Sequence, residues 1–401
     1  MSAAVMGGGV TGGGAASAAL TDPDAPPAPP EPPRLQVNPL GGYRVWTVSR
    51  HADLLAVLRS PAFRAASVEE RIQGIAGRAG RDYGNLLALL RGSLIFQHGA
   101  LHQDSRARVR RVVEAAMGAW PAARLEAEAR RIVAALPDRP GETEVVATLA
   151  EPLPGRLVAD LLGLPPALCL ALQQQALAVS RSWLDAVALR ELDRLEALAA
   201  ALREALREAG SGAAGCAVLA SAAPAETADL AAFLLLAGSH SVASTIAAGL
   251  DLLARQPALQ ARLRREPALW PGFLRETLRL AGPIRRLNRR IATAEAEIGG
   301  ARILPGDLML LPTDRAHRDP AAFPEPGTPD PARRGAALLA FGGGAHMCQG
   351  PLLGTQEAEV MLRAVLERYA PRPAAARGAL LAHPDWRSFT HLPLRLEPAG
   401  G

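Results

Sequence analysis

Apolar residues recur with helical spacing over much of this chain, and short alternating runs are confined to a few places. From about Asp104 to Glu208 the helical pattern dominates, broken by turn signals at Asp138-Arg139-Pro140-Gly141 and Leu164-Pro165-Pro166. Its last part, Leu189 to Glu208, is rich in Ala, Leu, Glu and Arg and predicts a helix that stops before Gly210-Ser211-Gly212. Further helices are predicted from roughly Thr227 to Ala254 and from Pro271 to Leu280. Nearer the start, Tyr43 to Val48 alternates as a strand does, and Ala52 to Ser60 reads as a helix. After Leu280 the pieces Arg290 to Ala296, Ala301 to Leu304 and Leu308 to Pro312 read as small strands and turns. An irregular Pro-rich stretch, Asp319 to Pro331, precedes a last helix from near Cys348 to Tyr369. The fold class is mainly α with a small β portion, in a single large helical domain over 34–401.

Composition sharpens this in three ways. With 49% hydrophobic and 21% charged residues the chain can bury a large core, and at 4% aromatics that core is mostly Leu, Ala and Val. The net charge is +5, every basic residue is Arg, and no dense basic block with interleaved aromatics occurs, which argues against nucleic-acid binding. A local basic patch for an acidic protein partner stays open. Residues 1–33 are rich in Gly, Ala and Pro; Asp22 to Pro33 offers too little apolar surface to fold, so 1–33 reads as a disordered lead without a secretory pattern. The most apolar run, Leu230 to Gly238, is about half of what a membrane span needs. Three cysteines, an odd and sparse set, fit a reducing cytoplasmic setting with no membrane. Cys169, inside ALCLAL, reads as core packing, and Cys216 as incidental in a Gly/Ala-rich connection.

Cys348 is different. It stands in Phe341-Gly342-Gly343-Gly344-Ala345-His346-Met347-Cys348-Gln349-Gly350, a glycine loop leading into a helix. Glycines allow tight turns and close approach to a flat ligand. A cysteine at a helix N-terminus has amide donors and the positive dipole end beside it, which favour the thiolate, a suitable axial ligand for iron. No Lys-Ser/Thr pair follows, so this is no phosphate loop.

These residues resemble the haem-binding loop of the cytochrome P450 superfamily, of the soluble bacterial type. The resemblance implies haem b with Cys348 as proximal iron ligand. It also implies that Phe341 packs beside the sulfur, that Gly342 and Gly350 keep the loop's spacing, and that His346 lies near a propionate. Glu276-Thr277-Leu278-Arg279 is similar to the family's ExxR element, implying a buried network with Arg333 in a meander-like segment, Asp319 to Arg333. Arg290-Ile291-Ala292 matches the segment whose Arg meets a propionate. Upstream, Arg110 matches the Arg of the HxxxRR helix, and either Arg106 or His102 fills its His position. Thr355 stands where the family commonly has Arg. The resemblance runs over about 35 to 398.

The apolar stretch Leu230 to Leu250 reads as a buried helix carrying Ala237-Gly238-Ser239-His240-Ser241-Val242 at its centre. It resembles the oxygen-activating segment, with Ala237 and Gly238 matching, Ser241 at the alcohol position and His240 replacing the acid. An imidazole can still relay protons near neutral pH. Substrate-lining segments are expected at Ser67 to Leu94, near Leu168 to Leu184, from Ile284 to Asn288 and from Ser388 to Thr390. Leu234, Ile284, Leu287, Ser388 and Phe389 are the named candidates, with Arg285 and Arg286 at one edge as carboxylate partners or exposed charges. What is implied is an oxidoreductase that takes electrons from a ferredoxin and its reductase and activates dioxygen. It would oxidise a small natural-product-like or short-peptide substrate, by hydroxylation or epoxidation or, given His240, by oxidative coupling of aromatic or peptide groups. A non-catalytic haem-thiolate recruitment module is the alternative.

Overall fold

The computed structural model describes residues 22, 24–37, 44–137, 141–180, 188–212 and 224–399. Cys216, the first three residues of the 138–141 turn, and the lead up to residue 21 lie outside them. Helices form where the periodicity places them: Gly99–Ala119, Ala122–Ala134, Pro152–Leu162, Pro166–Val179, Leu189–Gly212 and Trp270–Ala281. Proline opens several helices, among them Pro152–Leu162, Pro166–Val179 and Pro351–Arg368, where its missing N–H costs nothing. Two boundaries differ from expectation. The 189 helix runs through Gly210-Ser211-Gly212, and the last helix begins at Pro351, three residues after Cys348.

The largest sheet of the β portion has five strands in the order Arg34–Val37, Arg44–Thr47, Leu308–Pro312, Arg286–Ala292, Phe63–Ala65, beside a three-stranded sheet and two two-stranded ones among the described residues. Its 44–47 and 308–312 strands pair in parallel and the rest antiparallel. Where Arg286–Ala292 meets Leu308–Pro312 the register slips between Leu287 and Arg290, so three steps on one strand match two on the other. Such a bulge re-aims side chains. Side chains along Arg286–Ala292 therefore do not alternate regularly, and this decides what faces the site.

One large hydrophobic core fills the helical part, and a smaller one, around Trp46, Leu54, Leu58, Phe63, Met309 and Leu311, lies by the sheet. Helix Thr227–Ala254 runs through the former. Its 28 residues are long and apolar enough to cross a membrane by length and composition, but 72% of its most apolar window is buried inside the fold, the mark of a core helix. At Leu236–His240 it widens into a π-type turn before resuming as Ser241–Ala254, a device frequent at functional sites. Gly249 lets it approach helix Pro351–Arg368: a Cβ there would stand 2.7 Å from Leu362.

The expectation of a disordered lead through residue 33 is corrected for its last part. Asp24 pairs with Arg255 and Arg377, Arg315 donates to the carbonyl of Pro29 and pairs with Glu31, and the Glu31 amide donates to Ser49 Oγ. Charge pairing and backbone hydrogen bonds dock this segment, where apolar content alone gave no reason to expect it.

Candidate active site

The segment around Cys348 is built by tight backbone geometry. Gly342 and Gly344 have φ of +71° and +62°, and a Cβ on Gly344 would fall 2.1 Å from the carbonyl oxygen of Leu58. The glycines therefore serve close packing against the end of helix His51–Arg59 as well as turning. The Cys348 amide donates to the Phe341 carbonyl at 2.9 Å, and the Gly350 amide donates to Cys348 Sγ at 3.4 Å. Arg106, on helix Gly99–Ala119, donates to the Met347 carbonyl at 2.7 Å.

The electrostatics differ from the simple helix-terminus expectation. Burial pushes the Cys348 thiol up, and the amides of Gly350 and Gln349 with the Arg106 charge offset it only in part. By itself the protein holds a thiol; a coordinated metal cation is what turns such a group into thiolate.

Cys348 lies on the wall of a cavity of about 690 Å³, inside the range of roughly 300–1,000 Å³ usual for small-molecule sites. Of the sequence candidates, Phe341, Gly342, His346, Gly350, His102, Arg106, Ala237, Gly238, Ser241, Leu234, Ile284 and Leu287 share that wall. His102 and Arg106, posed as alternatives, are both there. Ser67 and Leu94 line it as well, whereas the described part of Leu168 to Leu184 contributes nothing.

Five candidates are placed differently. Arg110 is exposed and off the wall. Arg290 is buried but does not line the cavity: the bulge brings Leu287, Asn288 and Arg289 to the wall in succession and turns Arg290 aside. Its charge still depresses the imidazoles of His102 and His346, and its own desolvation takes it down to about 10. Ser388 and Phe389 are buried in the packing behind the wall, which Asp385 and Trp386 reach instead. His240 also misses the wall. Its Nε2 is 2.8 Å from Ser388 Oγ, and burial, helped by His383, lowers its pKa to about 4. The imidazole at the acid position is thus held off the wall by its bond to Ser388, with burial favouring its neutral form.

Hydroxyls do reach the wall. Ser241 Oγ donates to the Ala237 carbonyl and Thr245 Oγ1 to the Ser241 carbonyl, both at 2.8 Å. Thr245, four residues after Ser241, was legible as a same-face hydroxyl and was missed. So was Glu357, a wall residue on helix Pro351–Arg368 whose Oε2 is buried without a partner among the described residues and whose pKa is pushed up to about 8 by burial. At the edge, Arg286 meets a carboxylate of the chain itself, Asp385, at 2.7 Å, while Arg285 is buried off the wall. Thr355 caps back onto the Pro351 carbonyl.

The charge network forms as the ExxR resemblance implies. Arg279 donates to both Glu276 oxygens at 2.8 Å, Arg333 reaches Glu276 Oε2 at 3.2 Å, and the Asp330 amide adds a bond at 2.9 Å. Burial pushes Glu276 up, but these donors outweigh it and hold the carboxyl below its usual range. Further bonds from Arg279 to the carbonyls of His317, Pro326 and Thr328 tie helix Trp270–Ala281 to the 317–333 segment.

A haem fits this donor set on the observations of the cavity itself. Cys348 offers a sulfur, and His102 Nε2 is buried with no partner among the described residues. Among the described residues Arg106 forms no ion pair, and neither does Arg290, so two cations stand by the same corner without a carboxylate. Arg290 is buried and Arg106 half-buried; a cation held out of water without a carboxylate calls for an anion, and propionates are anions.

A family model for cytochrome P450 matches residues 223–389, the stretch from helix Thr227–Ala254 through the Cys348 loop. Cytochrome P450 140 of Mycobacterium tuberculosis is 36% identical over 171 residues, which is 42% of this chain and only 39% of that relative. Cytochrome P450-SU2 of Streptomyces griseolus is 30% identical over 335 residues, 82% of this chain and 81% of the relative. The solved structure of CalO2 superposes with a TM-score of 0.76 at 25% identity, covering 90% of this chain and 92% of the other. A glycine-wedged cysteine, the buried Glu276–Arg279–Arg333 network and likeness over four fifths of a full-length relative converge: the chain belongs to the cytochrome P450 family.

Proposed function

We propose that the protein is a haem-thiolate monooxygenase that uses dioxygen to oxidise a small, largely apolar natural-product-like or short-peptide substrate. One observation carries the reading: the Cys348 sulfur shares a cavity of about 690 Å³ with the Ala237–Gly238–Ser241–Thr245 segment and with the cationic corner of His102 and Arg106. Cys348 would hold the iron of haem b and His102 and Arg106 its propionates; thiolate ligation supplies electron density that favours O–O cleavage. The chain's own part is orientation and proton handling. Ser241 Oγ and Thr245 Oγ1 present hydroxyls that can pass a proton, and Glu357 is a neutral carboxyl on the same wall.

Electrons would come from a ferredoxin and its reductase. Beside the cysteine loop Leu101, Met347 and Leu352 are exposed apolar residues, and the helix of Arg106 also presents Arg110 and Arg111 to solvent. That pairing of apolar and basic groups suits an acidic protein.

Two measurements test the proposal. The reduced carbonyl complex of haem-loaded protein should show the red-shifted Soret band of thiolate ligation, and Cys348→Ala should lose it; the same spectrum in both proteins overturns the reading. With oxygen-18 gas, monooxygenation puts label in the product, whereas oxidative coupling leaves the product unlabelled and a non-catalytic module yields none.

A further inference from the structure

We propose that His240 is a positioning residue that fixes the Asp385–Trp386 edge of the cavity, and that this edge selects substrates with a flat apolar face. The inference rests on reading the cavity as the substrate chamber. It assigns the residue at the acid position a task other than proton transfer.

A polar ring in the middle of an apolar helix is costly unless bonded. His240 is satisfied sideways: Ser388 Oγ lies 2.8 Å from its Nε2, and Ser244 Oγ lies 2.9 Å from Ser388 Oγ. Ser244 and Ser388 are both buried. Ser244 Oγ also donates to the His240 carbonyl at 2.8 Å, so Ser388 Oγ bridges Ser244 and the imidazole in one chain of hydrogen bonds. The helix and the last turn of the chain are thereby joined by hydrogen bonds on one side.

On its other side that turn is pinned to the 283–286 segment. The Arg285 amide donates to the Asp385 carbonyl and the Arg387 amide to the Pro283 carbonyl, both at 2.8 Å, and Ile284 forms a bridge with Trp386. Between the two anchors sits Trp386, which lines the cavity and meets the His240 ring edge to face, centroids 5.2 Å apart and planes at 72°. Its indole N–H is buried without an acceptor among the described residues. An unsatisfied buried donor is unfavourable, so a loosened turn would let the indole rotate toward a partner. The His240–Ser388 bond and the edge contact oppose that rotation and keep the indole on the wall.

The test uses the haem-loaded protein and two iron-binding probes, imidazole and 4-phenylimidazole, which differ by one flat apolar ring. His240→Ala and Ser388→Ala should each weaken 4-phenylimidazole by about tenfold, equivalent to about 1.4 kcal/mol, while imidazole changes less than twofold. Amide hydrogen exchange across 383–389 should rise in both variants. His240→Gln, which keeps a polar atom near the Nε2 position, should restore selectivity and protection. In Trp386→Ala the preference should be gone, and adding His240→Ala should change it no further. Unchanged selectivity and exchange in His240→Ala and Ser388→Ala overturn the proposal, as does equal weakening of both probes. Failure of the haem-thiolate reading would show separately, as absence of the thiolate-type carbonyl spectrum in the parent protein, with the exchange result still readable.

Discussion

His102 and His346 lie ring against ring, their centroids 4.1 Å apart and their planes inclined by 30°. One comes from helix Gly99–Ala119 and the other from the cysteine loop. Burial lowers the pKa of each, and the charges of Arg290 and Arg106 lower them further, taking His346 to about 3. The two rings and Arg106 form one corner of the cavity, with Arg290 buried behind it, and among the described residues neither arginine has a carboxylate partner.

That corner predicts which residues retain haem. His102→Ala and Arg106→Gln should each speed haem transfer to apomyoglobin by about tenfold, the loss of one charge-assisted or buried hydrogen bond. Arg110→Gln, at an exposed position, should leave the rate unchanged. Equal effects at 106 and 110 would contradict the placement.

Gly344→Ala should be far more damaging than its size suggests. The new Cβ meets the Leu58 carbonyl at 2.1 Å in a left-handed conformation that alanine disfavours. The atoms it would meet, the Leu58 carbonyl and Arg59 Cα, are backbone, so no side chain can yield. Little haem-loaded protein should be recovered, and what forms should melt at lower temperature, while Gly350→Ala, where a Cβ would meet nothing within 4 Å, should be milder.

Glu276→Gln should cost about 3–5 kcal/mol, because it leaves Arg279 buried without its charge partner. Denaturant midpoints measure this. A loss under about 1 kcal/mol would mean that the network is not the brace between helix Trp270–Ala281 and the 317–333 segment.

Glu357 gives a pH dependence of defined sign. Its folded pKa of about 8 lies above the ordinary glutamate value of 4.5, so between those limits the folded state keeps a proton that the unfolded chain has released. Stability from this group is complete below about pH 4.5 and is lost as pH rises toward 8. Glu357→Gln should therefore match the parent near pH 5 and exceed it increasingly up to pH 8.5, each pK unit being worth about 1.4 kcal/mol. A difference that does not change with pH would sink this account.

The sequence by itself determined the helical architecture, the cysteine that faces the cavity and the Glu276–Arg279–Arg333 network. These are properties of local spacing: glycine content, an i, i+3 pair on one helix face, apolar periodicity. It could not determine direction where spacing is disturbed. A single extra residue in strand Arg286–Ala292 turned Arg290 off the wall and Arg289 onto it. A widened turn at Leu236–His240 left Ser241 on the wall while His240 bonds to Ser388. Periodicity fixes which face of its own element a residue occupies, but what stands against that face is set by chain segments more than a hundred residues away. Only the packed structure could place Trp386 beside His240, or leave the Glu357 carboxyl without a partner.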